Sequence, residues 1–195
     1  MTRRAILLDR DGVLVPDHGP VAPRGTPELC AGVPRALRRF AEAGFALAVV
    51  SNQTIVARGV ASEAEVTAWH DALAAVLVAA GAPVPERFYF CPHHPSANVP
   101  AYRVTCPCRK PRPGMLLRAA RELDLELAAS IMIGDRPSDV AAGRRAGCRT
   151  ALITSGKHND PPIESPDALA ASLLEPDWIC ADLSEAADRI LGDMG

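Results

Sequence analysis

The sequence predicts an α/β fold, a doubly wound and mainly parallel sheet with helices on both faces. Short continuous apolar runs such as Ala5 to Leu8 and Ile131 to Ile133 stop abruptly at polar residues, the pattern of strands buried on both faces. Between these runs lie five helical segments, four of them followed by a glycine that can take the left-handed conformation at a helix end. Strands alternating with helices pair in parallel, because each crossover helix has to cover the sheet. Ligands in such sheets bind at the carboxyl ends of the strands, where this chain carries Asp9, Ser51, Cys91 and Asp135.

The first strand, Ala5 to Leu8, ends at Asp9, and a helix follows over about Val33 to Ala43 with Gly44 as its stop. Leu47 to Val50 is the second strand, ending at Ser51-Asn52. The next helix, Ser62 to Ala80 before Gly81, has the best-marked start, since Ser62 and Glu65 stand at capping-box spacing. Arg87 to Phe90 runs as a strand into Cys91, Gly114 to Leu123 is helical, and Ile131 to Ile133 ends at Gly134-Asp135. Ser138 to Ala146 is a helix stopped by Gly147, Arg149 to Ile153 a strand ending at Thr154-Ser155, and Trp178-Ile179-Cys180 a strand before Asp182. Ser184 to Leu191, with Gly192, closes the series. Three Pro/Gly-rich segments, Pro16 to Pro27, Pro92 to Pro113 and Gly156 to Pro166, read as surface loops too short to be domains, so 1–195 is expected to be a single domain.

At 195 residues, 48% hydrophobic and 23% charged, the chain can bury a core of its own. Its 21 Lys+Arg against 23 Asp+Glu lack the basic excess of a general nucleic-acid binder. No apolar run approaches the ~20 residues of a membrane span, and the apolar start before Asp9 is too short for a signal peptide. The expectation is a cytoplasmic monomer with neither a nucleic-acid nor a membrane partner. Six cysteines in a reducing compartment are thiols or metal ligands.

The strongest local signal is Asp9-Arg10-Asp11-Gly12-Val13. Carboxylates at i and i+2 of an extended backbone share a side, so one can attack while the other handles protons, and Gly12 lets the chain turn away. Here the sequence resembles the haloacid dehalogenase superfamily of phosphohydrolases, whose first motif is D-x-D-x-[TV]. The other motifs follow in family order: Ser51 after the second strand, Lys110 in Arg109-Lys110-Pro111, and Gly134-Asp135-Arg136-Pro137-Ser138-Asp139 matching G-D-x-x-x-D. The resemblance implies Asp9 as nucleophile, Asp11 as acid and base, and Ser51 and Lys110 on the transferring phosphoryl group. It also implies Mg2+ held by Asp9, the Asp11 carbonyl and Asp135. A metal suits the chemistry, since an anionic nucleophile must approach an anionic substrate. Asp139 is expected to orient Lys110 or a metal-bound water, or to cap a helix.

Cys91-Pro92-His93-His94 and Cys106-Pro107-Cys108 supply enough soft ligands to close a tetrahedral zinc site and order the loop over about 91–108. Spacing alone leaves His93 and His94 as alternatives. With the following Arg109-Lys110-Pro111, this loop is similar to that of the D-glycero-D-manno-heptose 1,7-bisphosphate 7-phosphatase family, over about residues 5 to 156. That resemblance implies Zn2+ on Cys91, His93, Cys106 and Cys108. It further implies substrate contacts from Asp17, His18, Gly19, Asn52, Gln53, Arg58 and Arg136, with Arg109 reading the distal phosphate of a phosphorylated sugar. The chain departs from the family pattern at Val13, Pro20 and Ile55, where Thr, an aromatic residue and Gly are usual. Only about twenty residues separate Gly12 from the next helix, so the fold is expected to be capless.

The activity so implied is hydrolysis of the 7-phosphate through an aspartyl phosphate. An alternative is a phosphatase for histidinol phosphate or another small metabolite. A non-enzyme alternative is a phospho-acceptor signalling module, which has no use for Asp11, and another is an idle zinc-binding scaffold. Cys30, Cys148, Cys180, Trp69 and Trp178 read as packing residues, while His70 and His158 have no evident partner in the sequence.

Overall fold

The computed structural model describes residues 2–22, 25–159 and 175–193. Part of the loop expected over Gly156 to Pro166, and Pro23 and Arg24 of the first loop, lie outside them. The described residues form a six-stranded sheet from β1 (Ala5–Leu8), β2 (Ala46–Asn52), β3 (Arg87–Cys91), β4 (Ile131–Gly134), β5 (Arg149–Ile153) and β6 (Trp178–Cys180). Their order is β3-β2-β1-β4-β5-β6 and every pairing is parallel. The helices are α1 (Val33–Glu42), α2 (Thr54–Ala57), α3 (Glu63–Ala79), α4 (Gly114–Leu123), α5 (Pro137–Ala146) and α6 (Leu183–Gly192). The expected doubly wound α/β architecture is present, and each strand read from the sequence falls where an observed strand lies.

Alternation along the strands builds two cores. Ile6, Leu8, Leu47 and Val49 pack with Phe40 of α1, Leu73 of α3 and Ile190 of α6. Ala5, Leu7, Ala48 and Val50 point to the opposite face, against Met115 and Leu116 of α4 and Ala142 of α5. Cys30 and Cys180 join the first core and Cys148 the second, as expected of packing thiols. The capping box at α3 is complete: Glu65 N–H donates to Ser62 Oγ at 3.2 Å and Ser62 N–H to Glu65 Oε2 at 2.7 Å. Three short elements carry no sequence periodicity, α2 and the 3-10 turns over Pro100–Tyr102 and Leu127–Ala129.

β1 lies at the centre, with the chain running outward through β2 and β3 on one side and β4, β5 and β6 on the other. This reversal leaves a crevice beyond the carboxyl end of β1, where loops diverge to opposite faces. Among the described residues no helix is long and apolar enough to cross a membrane.

Candidate active site

Three strand ends converge on that crevice. Asp9 follows β1, Ser51 lies near the end of β2, and Asp135 follows β4; all three are buried. They border or underlie a cavity of about 1080 Å³ whose wall includes Asp9, Asp11, Ser51 and Lys110. Lys110 is brought in by the loop before α4 and is 1% exposed, with Nζ 3.0 Å from Asp9 Oδ2 and 2.6 Å from Asp139 Oδ1, donating also to the Val50 carbonyl at 2.8 Å. Burial works against this ammonium, but Asp139 and Asp9 outweigh it and hold its pKa above the ordinary lysine value. Both expectations for Asp139 are met at once, because its Oδ2 accepts the Arg136 N–H at 3.0 Å as a cap for α5 while Oδ1 holds Lys110.

Asp135 has the strongest mark of a cation ligand. It is 0% exposed, its Oδ1 has no hydrogen-bond partner and meets only the Arg136 Nε at a long 4.0 Å, and its Oδ2 accepts the Lys157 N–H at 2.9 Å. Burial first, then Asp9 and Asp139, push its pKa up to about 7. A buried carboxylate oxygen without a partner is costly unless a cation completes it, so Asp9 and Asp135, hard oxygen donors beside one another, fit Mg2+. The surrounding backbone is packed to match. A Cβ on Gly12 would lie 2.1 Å from Asp135 Oδ2 and one on Gly156 2.2 Å, so both positions require glycine. Since the metal-free carboxyl keeps its proton between the ordinary value of 3.8 and about 7, Mg2+ binding is expected to release a proton at about pH 6 and none at about pH 9. Calorimetry in buffers of different ionisation enthalpy reads this directly, and equal proton release at both pH values would count against Asp135 as the ligand.

The acid–base candidate Asp11 is held by Arg10, which sequence reasoning passed over, and by Gln53. Arg10, 5% exposed, grips the carboxyl through Nε and Nη2 at 2.9–3.1 Å and donates to Gln53 Oε1 at 2.8 Å. Gln53 Nε2 in turn donates to Asp11 Oδ2 at 2.8 Å and to Ser51 Oγ at 2.9 Å. Burial raises the Asp11 pKa, Arg10 opposes, and Asp9 adds to the rise, for a net upward shift. One expectation is extended here and one corrected. Trp69 packs against the first core as expected, and it also lines the cavity and carries the Arg10 guanidinium 4.4 Å from its ring centroid. His70 does have a partner, Arg10 Nη1 at 3.1 Å from Nε2. Burial and Arg10 push the His70 pKa down to about 3, so Nε2 accepts this hydrogen bond.

The remaining candidates surround the opening. Asp17, His18, Gly19, Asn52, Arg58, Arg109 and Arg136 all line the cavity. Asp17 pairs with Arg136 Nη2 at 2.9 Å and with Lys157 Nζ at 3.6 Å, and accepts the Gly19 N–H at 2.6 Å. Although burial acts upward on Asp17, these donors keep its pKa below the ordinary value. Asn52 uses both ends of its amide on the backbone of Lys110, at 3.1 Å each, so it ties the end of β2 to the lysine loop.

That loop is anchored by the cysteine cluster. Cys91 ends β3, and its Sγ lies 3.4 Å from Cys106 Sγ and 3.1 Å from Cys108 Sγ. His93 Nδ1 stands 3.6 Å from Cys91 Sγ and 3.5 Å from Cys108 Sγ, whereas His94 Nδ1 accepts the Ser96 N–H at 3.1 Å. The structure therefore gathers Cys91, His93, Cys106 and Cys108, all within 4.8 Å of one another, and leaves His94 on the cavity wall. Three sulfurs and an imidazole nitrogen at this spacing suit one tetrahedral Zn2+. Arg109 follows the last of these ligands, is 9% exposed, and donates from Nη1 to the His93 carbonyl at 3.0 Å.

The chain was also compared with known proteins. A family model described as HAD-hydrolase-like matches residues 107–186. The chain is 39% identical to the D-glycero-beta-D-manno-heptose-1,7-bisphosphate 7-phosphatase of Yersinia pestis over 190 residues, 95% of this chain and 94% of that protein. It is 40% identical to the protein of the same name from Escherichia coli strain K12 over 191 residues, 95% and 93% of the two chains. A similar solved structure is the D,D-heptose 1,7-bisphosphate phosphatase of B. bronchiseptica complexed with magnesium and phosphate. Its TM-score is 0.77 at 30% identity, over 97% of this chain and 99% of that one.

Proposed function

The chain belongs to the D-glycero-beta-D-manno-heptose-1,7-bisphosphate 7-phosphatase family, and on that premise we propose that it removes the 7-phosphate of this sugar bisphosphate through an aspartyl-phosphate intermediate. The observation that carries the reading is the convergence on one cavity of Asp9, its buried partner Lys110, Ser51 and Asp11.

Asp9 attacks phosphorus as the bond to the sugar oxygen breaks, and Asp11 delivers a proton to that departing oxygen. Ser51 Oγ and Lys110 hold the transferring group, the lysine offsetting its charge. Asp11, now ionised, takes a proton from water as the water attacks phosphorus; the Asp9–phosphate bond breaks and inorganic phosphate leaves. Asp9, Asp135 and the Asp11 carbonyl would hold Mg2+, which would supply charge neutralisation between nucleophile and phosphate. Cys91, His93, Cys106 and Cys108 would hold Zn2+ in a structural role, since they would supply all four ligands of a tetrahedral site. The sugar lies against Asp17, His18, Gly19, Asn52, Gln53, Arg58 and Arg136, with Arg109 on the distal phosphate. The reading is of one phosphatase domain, monomeric and cytoplasmic, where Cys30, Cys148 and Cys180 remain thiols.

The deciding experiment compares Mg2+-dependent phosphate release from the α and β heptose 1,7-bisphosphates and from histidinol phosphate. We expect the highest kcat/KM with the β bisphosphate; a preference for histidinol phosphate would move the chain to the alternative substrate class. Arg109→Ala is expected to cut kcat/KM for the bisphosphate by about 100-fold, the scale of removing one charge-assisted hydrogen-bond donor from a phosphate. An aryl phosphate, which has no second phosphate, is expected to lose far less. Equal losses on both substrates would refute the distal-phosphate role.

A further inference from the structure

The Arg10 side chain is buried, hydrogen-bonded through its guanidinium, and unused by the chemistry described above. Its guanidinium is one of the few charged side chains in the interior, and its hydrogen bonds gather around Asp11. Nε and Nη2 go to the Asp11 carboxyl, Nη2 also reaches Gln53 Oε1, and Nη1 reaches His70 Nε2. Its flat face rests on Trp69. His70 is fixed in its turn by stacking on Phe88 at 5.2 Å and by an edge contact with Phe90 at 5.7 Å, both from β3. Thus a chain of contacts runs from α3 and β3 through Arg10 to the carboxyl of Asp11, which remains 29% exposed on the cavity wall.

A carboxyl on a short side chain rotates readily about its last bond unless both oxygens are engaged. A planar fork of donors fixes that rotation in a way a point charge does not. We propose that Arg10, braced by His70 and Trp69, is the positioning residue that aims Asp11 at the departing oxygen of the substrate. The inference rests on the reading of Asp11 as the proton donor. In the step concerned, the proton passes from Asp11 to the bridging oxygen as the phosphorus–oxygen bond breaks and the Asp9–phosphorus bond forms. Misaiming Asp11 therefore harms substrates in proportion to how much their leaving oxygen needs that proton.

The test uses the full chain with Mg2+ and a series of substituted phenyl phosphates, from para-nitrophenyl to para-methoxyphenyl. The quantity read is kcat/KM, which covers steps through leaving-group departure and omits hydrolysis of the intermediate. Arg10→Lys keeps the charge and loses the fork. Its kcat/KM is expected to fall about tenfold more for the most basic leaving group than for para-nitrophenol, steepening the dependence on leaving-group basicity. Asp11→Asn is the control and is expected to steepen it further. If Asp11→Asn steepens the dependence and Arg10→Lys lowers all substrates equally, Arg10 is merely structural and this proposal is overturned while the reading of Asp11 stands. If Asp11→Asn leaves the dependence unchanged, Asp11 is not the donor and both fall. Should Arg10→Lys fail to fold, His70→Phe carries the same test, because it keeps a ring against Phe88 and removes only the acceptor for Arg10; an unchanged slope there overturns the proposal.

Discussion

Replacing Asp9 with asparagine is expected to lower kcat by at least about 10⁴-fold, because an amide cannot form the covalent intermediate and nucleophile deletions cost this much or more. The variant should still fold. Its side chain has nearly the same volume, and Lys110 keeps Asp139 and the Val50 carbonyl as partners when Asp9 no longer carries charge. A phosphate-release assay on Asp9→Asn, with circular dichroism to establish folding, makes the comparison. Turnover at the original rate would remove Asp9 as the attacking group and leave Asp11 or Asp139 to be considered in its place.

Replacing Cys106 with serine is expected to abolish zinc binding and to destabilise the chain by at least about 3 kcal/mol, or roughly 6–12 °C in Tm for a chain of this size. The loop between β3 and α4 has little apolar burial of its own; Cys106 and Cys108 sit with Cys91 at the margin of the second core. A metal on these ligands would therefore replace a core for this segment. Catalysis should fall with stability, since Cys108, Arg109 and Lys110 are consecutive and the Arg109 side chain is tied to the His93 carbonyl. Elemental analysis of purified protein should find zinc in the wild-type chain and not in Cys106→Ser. Unchanged zinc content would reject the ligand set.

Much of this was legible because the physics is local. A strand buried on both faces must be apolar at every position, so Ala5 to Leu8 and Ile131 to Ile133 announce themselves and their polar successors mark the strand ends. Ser62 and Glu65 satisfy each other's backbone groups within a single turn. The cysteine spacing brings Cys106 and Cys108 to the same small volume with almost no chain between them. By contrast, α2 has only four residues, too few for a helical period to repeat. The Pro100–Tyr102 turn, at three residues, is likewise too short for a period to repeat.

Arg10 shows where local reasoning stops. Between two acids it reads as one more charge in a polar turn, and His70 reads as a lone histidine in a helix. Sixty residues separate them in the chain, and nothing in the spacing of either announces their pairing. The pairing of Asp17 with Arg136 spans 119 residues and depends on two loops from opposite sides of the reversal in strand order. Likewise the choice of His93 over its neighbour follows from which ring the loop turns inward.

Short-range pattern and motif order were enough for the α/β class, for the strand ends that carry acids and thiols, and for the family to which the chain belongs. How the buried charges are balanced emerges only in three dimensions: Lys110 between Asp9 and Asp139, Asp135 with one oxygen lacking a hydrogen bond, and Asp11 braced by Arg10. The reason is physical. Burying a charge is tolerable only when an opposite charge or a directed hydrogen bond meets it in space, and those meetings are made by the packing of distant segments.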